Sequence, residues 1–446
     1  MKNRILCFIL SITVSALALT GCATGKNGAS ANADASASDN AGSSGNSEKQ
    51  VKLRVYTMFG GTDGTAIEYE KIKEEFQKND PSVIIEDDSR TVDEEWKQEV
   101  AADFSSGNEP DVIQFFTDAS ADNIVDMDKF MTVDEIRKEY PEYGADITTK
   151  ALDTAKNTDG IARALPTTGY WEGLYCNRDL FRKYGLELPY SWDLFLKAIH
   201  AFQKNGVVPV SCSLTNVPHY WMEYLMLYAA GEDEYIGFAG NKTDTYDMER
   251  GLETFEQLRN LGAFPDDTDT MDNASAQRMF INKEAAMILE GNWFLPSVED
   301  QDNTVVVPFP GIKGQKAEYN TVIGGMTTGF CITRRAWNNP GKRDAAVRFV
   351  MANTSKEAVT EYWHGGGGVS QAAVEVNMSE SQTQLERSAT EYIEDAGDIV
   401  LSTDSRISPN AYKMLVSGVL SVSHGGSARE LLTDVREANA QKDAGE

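Results

Sequence analysis

Residues 161–181 read Ile-Ala-Arg-Ala-Leu-Pro-Thr-Thr-Gly-Tyr-Trp-Glu-Gly-Leu-Tyr-Cys-Asn-Arg-Asp-Leu-Phe, and the rest of the fold can be worked out from this stretch. Its apolar residues 174–176 predict a short buried strand. Asn177 then begins a predicted helix. Gly185 ends that helix, because glycine readily adopts the left-handed backbone conformation that follows many helices.

Two aromatic residues, Tyr170 and Trp171, stand directly before the predicted strand. Aromatic side chains between rigid elements offer flat apolar faces and lose little rotamer entropy when they bind a ligand. The alternative is that both rings fill the core, which is the commoner role of an isolated aromatic pair.

The first residues form a predicted export signal. Lys2 and Arg4 precede a mostly apolar run at residues 5–19, which is too short to cross a membrane as a permanent helix. We therefore interpret residues 1–21 as a signal peptide that is removed from the mature protein.

Leu19-Thr20-Gly21-Cys22 ends this signal and resembles the lipobox of bacterial lipoproteins. The resemblance implies that Cys22 is acylated and becomes the first residue of the mature chain. An ordinary secretory signal with an incidental cysteine is the alternative. Residues 22–48 have almost no large apolar residues, so they predict a disordered tether between the membrane and a folded body.

The chain is acidic, with 69 acidic residues against 41 basic ones and a net charge of −28 at pH 7. An acidic surface repels nucleic acid and anionic lipid headgroups, which argues against both as partners. About 400 residues follow the tether, and that length is sufficient for two sizeable lobes.

The cysteines and acidic clusters predict no cofactor and no bound metal. Cys176, Cys212 and Cys331 lie in apolar, strand-like runs with no zinc-site spacing, which favours buried free thiols and leaves one disulfide as an open alternative. Residues 266–273 carry oxygen ligands suited to calcium but lack the EF-hand spacing, so a solvated loop is the favoured interpretation.

Strand and helix patterns alternate along the first part of the chain. Residues 51–59, 83–85 and 111–116 predict strands, and the helices between them are expected to bury Ile67 in the first and Trp96 in the second. This alternation predicts an α/β fold with mainly parallel, helix-covered sheets. Further along, residues 216–221 are expected to form an aromatic loop before an apolar helix, and the C-terminal part is expected to be helical.

The order of these elements resembles the family 1 solute-binding proteins of carbohydrate ABC importers, which include the maltose-binding protein. The matching landmarks are Ser106-Gly107-Asn108-Glu109-Pro110-Asp111-Val112, residues 170–181, Ser191-Trp192-Asp193, Asn282-Lys283-Glu284-Ala285-Ala286-Met287, Gly291-Asn292-Trp293 and residues 324–330. Together they cover roughly residues 51–370. Their order and spacing, combined with the lipobox, make the resemblance specific.

The resemblance implies a two-lobe periplasmic-binding-protein fold, with a helix-flanked, mainly parallel sheet in each lobe and a ligand cleft at the hinge. Lobe 1 would contain residues 49–170 and 327–364, and lobe 2 would contain residues 171–326 and 365–446. The implied protein is an extracytoplasmic monomer, lipid-anchored to the cell membrane. It would capture a carbohydrate, of the oligosaccharide class, and deliver it to the permease subunits of an ABC transporter without acting as an enzyme.

The resemblance also assigns ligand-contacting positions, because sugar recognition needs flat faces for pyranose C–H groups and a few polar groups for hydroxyls. The assigned residues are Phe59, Phe115, Asp118, Tyr170, Trp171, His219, Tyr220, Trp221, Trp293, Met326 and Trp363, with Tyr412 as a further candidate. Asp118 is expected to bind hydroxyls. For Glu172, Glu223 and Glu290 a structural role is equally expected. His219 and the Phe115-Phe116 pair depart from the family's usual pattern, so the sugar type stays open.

Two other classes of function compete with this interpretation. The chain has no His-Glu-x-x-His, Gly-x-Ser-x-Gly, Walker or dinucleotide motif, and its 4 histidines lack metal-site spacing. The glycines at residues 365–368 lack the Lys-Ser/Thr of a phosphate-binding loop. A secreted glycoside-acting enzyme needs only two carboxylates, so it remains one alternative. A surface carbohydrate-binding adhesin without an importer is the other.

Overall fold

The structure is a computed structural model that describes residues 50–240, 244–376 and 383–443. The predicted signal peptide, the lipidation site Cys22 and the predicted tether lie outside the described residues. Within the described ranges, no helix combines the length and the apolar character needed to cross a membrane.

The strands of the described residues form two sheets. In chain order, they are β1 (Val51–Tyr56), β2 (Val83–Asp87), β3 (Val112–Phe116), β4 (Ala164–Pro166), β5 (Tyr170–Asn177), β6 (Val208–Ser211), β7 (Ala285–Gly291), β8 (Thr304–Val307), β9 (Val322–Gly325), β10 (Thr328–Ile332) and β11 (Ile399–Val400).

Helices cover both sheets. In chain order, they are α1 (Gly64–Asn79), α2 (Glu94–Ser106), α3 (Asp122–Val125), α4 (Val133–Arg137), α5 (Thr149–Thr154), α6 (Arg178–Lys183), α7 (Trp192–Lys204), α8 (His219–Ala230), α9 (Glu232–Gly237), α10 (Tyr246–Asn260), α11 (Asn273–Ile281), α12 (Arg334–Trp337), α13 (Pro340–Asn353), α14 (Lys356–Gly365), α15 (Gln384–Glu394), α16 (Pro409–Ser423) and α17 (Ala428–Asp443). Short 3-10 turns occupy Ala119–Ala121 and Asn292–Ser297.

The first sheet has the strand order β2-β1-β3-β10-β4 and forms the centre of lobe 1. Successive residues of its strands point to opposite faces, so Val112 packs into one core and Ile113 into another. Helix α13 packs against β1 and β10 on the first of these faces. On the other face, Trp96 and Phe104 of α2 pack against Phe115 and its neighbours.

The second sheet has the order β11-β9-β5-β7-β6, with β8 also paired to β5, and it forms the centre of lobe 2. The largest core of the molecule lies on one face of this sheet, where α7, α8, α10 and α16 pack together. Helix α8 is buried from Tyr220 to Ala230, which explains its apolar sequence on every side.

The predicted two-lobe α/β fold is confirmed, but both sheets are mixed rather than mainly parallel. Strand β10 runs antiparallel to β3 and β4, and β5 runs antiparallel to β7, β8 and β9. Both strands begin directly after the chain passes from one sheet to the other. Neither strand pairs with the strand that precedes it in the chain, so its direction is not fixed by a crossover within one sheet, the connection that parallel neighbours require.

The chain passes between the sheets at residues 167–169, between β4 and β5, and at residues 326–327, between β9 and β10. Near the first passage, the Gly169 amide donates to the Gln371 carbonyl at 2.7 Å, and the Ala373 amide donates to the Thr167 carbonyl at 2.7 Å. The segment that follows α14 is therefore hydrogen-bonded to the first passage. The residue numbers at which the lobes divide stay a prediction.

Local predictions mostly agree with the structure. Helix α2 follows its N-cap Asp93 and ends at Gly107, whose φ is 77°. Ile67 is an error, because it is 50 % exposed on α1 while Tyr69 and other residues form the buried face. The predicted aromatic loop at residues 216–221 is also wrong in part, because α8 already begins at His219.

The three described cysteines, Cys176, Cys212 and Cys331, are buried free thiols, as the sequence favoured. In the acidic loop at residues 266–273, two of the carboxylates have protein partners. Asp269 accepts two hydrogen bonds of 2.6 Å from Arg259, and Asp272 caps α11. In the part of the chain that the structure describes, no group of three His, Cys, Asp or Glu side chains could hold a metal ion.

Candidate functional site

Five aromatic side chains form a continuous line in lobe 2. We call them the aromatic row, and successive ring centroids are 6.4 Å apart for Tyr170 and Trp293, 6.1 Å for Trp293 and Tyr220, 4.4 Å for Tyr220 and His219, and 6.1 Å for His219 and Tyr412. They come from β5, the 3-10 turn after β7, the first turn of α8, and α16. Four of the predicted site residues and the further candidate Tyr412 are thus brought together.

The row faces lobe 1 at its Tyr412 end. The Lys97 ammonium of α2 lies 5.6 Å from the Tyr412 ring centroid and 4.7 Å from that of Phe116, which ends β3. An ammonium at this distance is attracted by the negative face of an aromatic ring. Lys97 therefore links the end of the first sheet to the aromatic row of lobe 2.

Trp293 is positioned by the two residues that end β7. Gly291 lacks a side chain, and a Cβ atom there would lie 2.3 Å from the Trp293 ring, so the ring packs directly on the glycine backbone. The indole Nε1–H donates to Glu290 Oε2 at 3.1 Å. The ring is therefore held at its six-membered end and at its N–H edge.

Polar contacts join the two lobes beside the aromatic row. The Ser405 hydroxyl donates to Asp118 Oδ2 at 2.6 Å, and the Ser120 hydroxyl donates to the Asp404 carbonyl oxygen at 3.2 Å. Lys97 Nζ lies 3.5 Å from Asp404 Oδ2. We call these residues the interlobe latch: Lys97, Asp118 and Ser120 from lobe 1, with Asp404 and Ser405 from lobe 2. The latch holds the lobes in contact at this edge.

Burial shifts the pKa of Asp118 in the latch and of His219 in the aromatic row. Burial, reinforced by the charge of Asp404, raises the pKa of Asp118 to about 6, although hydrogen bonds from Ser405 and Ser120 oppose the shift. Burial lowers the pKa of His219 to about 4, so its imidazole is neutral at pH 7. A neutral ring can act as a hydrogen-bond donor and acceptor for a ligand without adding charge.

Two carboxyl groups lie buried in lobe 2 close to the latch. Glu223 Oε1 accepts from the Thr403 amide at 3.1 Å, whereas Oε2 of Glu223 and Oε2 of Glu172 have no hydrogen-bond partner within the described structure. Burial, followed by the neighbouring carboxyl groups, raises the pKa of both well above its usual value. These conditions favour the protonated form of each group.

The other predicted site residues lie in the cores. Phe59 stacks on Tyr362 with ring centroids 5.3 Å apart, and the remaining residues of this set are buried among apolar neighbours. That set comprises Phe115, Trp171, Trp221, Met326 and Trp363. Trp363 belongs to α14 rather than to a loop, and its Nε1 donates to the Ser370 carbonyl at 2.7 Å.

Neighbouring aromatic residues separate because the local backbone turns them apart. Tyr170 and Trp171 are consecutive in β5, so their side chains point to opposite faces of the sheet. Tyr220 and Trp221 are consecutive in α8, and Trp221 stacks on Phe195 inside the lobe-2 core at 5.8 Å. In each pair, the first ring joins the aromatic row and the second fills the core.

Sequence reasoning named Asp118 but missed the other members of the interlobe latch, namely Lys97, Ser120, Asp404 and Ser405. A usable pattern was present at residues 402–408, which read Ser-Thr-Asp-Ser-Arg-Ile-Ser directly after β11. Short polar side chains that follow a buried strand are typical of binding loops on rigid scaffolds. Lys97 gave no such indication, because it lies on an otherwise ordinary amphipathic helix.

A two-lobe α/β fold with a row of aromatic side chains where the lobes meet is typical of binding proteins of the periplasmic type. The sequence profile described as bacterial extracellular solute-binding protein matches residues 61–360, which is more than half of the chain. The chain belongs to this family. Membership of an extracellular family places the protein outside the cytoplasm.

One curated relative and two solved structures illustrate the similarity. The multiple sugar-binding protein of Streptococcus mutans serotype c is 22% identical over 217 residues, which is 46% of this chain and 50% of the relative, so the chain spans about half the length of that relative. A chitin oligosaccharide binding protein has a TM-score of 0.78 at 20% identity, over 89% of this chain and all (100%) of the other. The binding protein RafE in complex with raffinose has a TM-score of 0.67 at 16% identity, over 87% and 98%. At these identities, the two structures show a shared fold.

Proposed function

We propose that this protein captures a carbohydrate of the oligosaccharide class between its lobes and delivers it to the permease of an ABC importer. The observation that carries the proposal is the aromatic row beside the interlobe latch. Flat rings suit the C–H faces of pyranose rings, and the carboxyl, hydroxyl and imidazole groups beside them suit sugar hydroxyls. Relatives named for sugar, chitin oligosaccharide and raffinose binding support the same ligand class.

Within this proposal, Tyr170, His219, Tyr220 and Trp293 contact the ligand from lobe 2, and Asp118 approaches it from lobe 1. The lobes would divide at the residue numbers implied by the sequence, except that Tyr170 would belong to lobe 2 with the rest of β5. The passages at residues 167–169 and 326–327 would act as hinge segments. A monomer is sufficient for this role, because one chain supplies both walls of the cleft. Delivery requires a permease partner, since the proposed protein supplies neither a pore nor an ATPase.

The same experiment tests ligand class and absence of catalysis. Soluble protein lacking residues 1–48 is expected to melt at a higher temperature in the presence of a bound oligosaccharide, because a ligand that binds only the folded state stabilises it by mass action. A panel of malto-, xylo-, chitin- and raffinose-type oligosaccharides would identify the class. Chromatography of the same mixtures is expected to show unchanged sugars. Shortened products would support the glycoside-acting enzyme instead, and no melting shift with any sugar would contradict carbohydrate capture.

We also propose that the protein is anchored to the cell membrane by lipid on Cys22. The support is the short apolar run that ends in Leu19-Thr20-Gly21-Cys22. Replacing Cys22 with alanine is expected to move the protein from the membrane fraction to the medium, or to leave it unprocessed with its signal peptide. Immunoblots of the two fractions would show this. The same membrane-bound, processed form in both proteins would contradict the proposal.

A further inference from the structure

Glu290 is fully buried at the end of β7, and all of its polar contacts are with the protein itself. Oε1 accepts from Asn273 Nδ2 and from Gln277 Nε2, each at 2.7 Å. Oε2 accepts from Trp293 Nε1 at 3.1 Å and from the Gly291 amide at 3.3 Å. Four N–H donors thus converge on one side chain, which has 0 % exposure.

This arrangement assigns Glu290 a different role from the one that its type and position suggested. A carboxylate that binds a sugar hydroxyl must present a free lone pair to the cleft. Here each oxygen already accepts two hydrogen bonds, and neither oxygen is exposed. Asn273 and Gln277 on α11 fix one end of the carboxylate, so its other end points at the indole of Trp293.

Gly291 completes the arrangement on the other side of the ring. Because a Cβ atom at this position would lie 2.3 Å from the Trp293 ring, only glycine lets the six-membered ring rest on the strand. The indole is therefore restrained by packing at one end and by a hydrogen bond at the other. A ring that cannot rotate loses no further rotamer entropy when a ligand binds against it.

We propose that Glu290 is a positioning residue that fixes the Trp293 ring in the plane needed for ligand binding, without touching the ligand itself. The proposal rests on the proposed function in so far as Trp293 is a ligand contact. In this arrangement the buried carboxylate of Glu290 connects α11 to Trp293 in the aromatic row.

The chemistry of the side chain gives a matched pair of variants. Glu290→Gln keeps an oxygen that can accept from Trp293, while its NH2 group can donate to the amide oxygens of Asn273 and Gln277 once these amides rotate. Glu290→Leu has a similar size but no acceptor. A positioning role therefore predicts that the glutamine variant behaves like the wild type and that the leucine variant does not.

The first readout needs no ligand. The difference between the near-ultraviolet circular dichroism spectra of the wild type and of Trp293→Phe gives the signal of the Trp293 indole. This signal is strong only when the indole is held in one orientation. Glu290→Leu is expected to lose the same signal, and Glu290→Gln is expected to keep it. Retention of the full signal in Glu290→Leu would overturn the proposal, even if no sugar in the panel bound.

The second readout is affinity in a double-mutant cycle, measured by calorimetry with the oligosaccharide that gives the largest melting shift. Glu290→Leu is expected to weaken binding roughly tenfold, the size of one hydrogen bond to a charged group. The same change in a Trp293→Phe background is expected to weaken it less than twofold, because that ring has no N–H to hold.

Equal losses in the two backgrounds would overturn the proposal, because Glu290 would then act independently of Trp293. If Glu290→Leu does not fold, Glu290→Gln alone decides the matter. A loss of more than tenfold in that folded variant would show that the charge itself is needed by the ligand. Affinity and dichroism near the wild-type values would support positioning.

Discussion

Replacing Trp221 with alanine is expected to lower the free energy of unfolding of the ligand-free protein by about 3–5 kcal/mol. The side chain is 1 % exposed and has three aromatic neighbours. Its ring centroid lies 5.8 Å from that of Phe195, 5.8 Å from Phe264 and 5.7 Å from Phe309. Truncation would leave a cavity between these rings. Urea denaturation of the ligand-free protein, followed by circular dichroism, would measure the loss.

Trp221→Phe is the matched control. The Trp221 Nε1 atom is buried without a hydrogen-bond partner, so phenylalanine removes no hydrogen bond and keeps a ring in the core. This variant is expected to be markedly more stable than Trp221→Ala. Unchanged stability of Trp221→Ala, together with lost ligand affinity, would contradict the core assignment and return this residue to the binding site.

Replacing Trp293 with alanine is expected to weaken oligosaccharide binding roughly 30- to 150-fold, which corresponds to about 2–3 kcal/mol for one aromatic face. The ring is only partly buried and lies between Tyr170 and Tyr220 in the aromatic row. Its removal takes away a face that the ligand would otherwise cover. Titration calorimetry on the ligand-free protein would give the affinity, and its melting temperature would show whether the lobes stay folded.

Trp192→Ala provides a control for this measurement. Trp192 is also a partly buried tryptophan of lobe 2, but it packs on Phe195 at 5.5 Å, at the start of α7 and outside the aromatic row. Its truncation is expected to leave affinity unchanged. A similar loss of affinity in both variants would mean that the effect of Trp293→Ala comes from general destabilisation of lobe 2.

The sequence was sufficient for the order of elements and for many of their ends. Helix caps are local features, so Ser191 before α7 and Gly107 after α2 could be recognised from residue type and spacing. The mixed direction of the sheets could not be recognised in this way. It depends on where the chain passes between lobes, and that is a property of the whole topology.

For the aromatic half of the site, the sequence identified each pair of adjacent aromatic residues but not which member of the pair joins the aromatic row. A pattern of two adjacent rings shows that one of them is buried, but the phase of the strand or helix decides which one. In β5 the ring that joins the aromatic row is Tyr170, and in α8 it is Tyr220, which is itself only 8 % exposed.

The pairing of the polar groups across the lobes could not be predicted because the partners are remote in sequence. Asp118 and Ser405 are separated by 287 positions, and no local pattern connects them. Their meeting depends on how the two lobes are placed relative to each other. Residue type alone can nominate such groups, but it cannot pair them.

The interlobe latch also bears on selectivity. Two of its contacts, Lys97 with Asp404 Oδ2 and the Ser120 hydroxyl with the Asp404 carbonyl oxygen, involve no residue that is proposed to touch the ligand. These two contacts contribute the same free energy to closure whichever solute is present. A ligand shifts the balance between open and shut forms only by the difference in its affinity for the two. These two contacts therefore raise the apparent binding constant of every solute by the same factor. The aromatic row sets the relative affinities for different solutes. Substitutions in these latch contacts are therefore expected to change the affinity for all solutes together, whereas substitutions in the aromatic row change which solute is preferred.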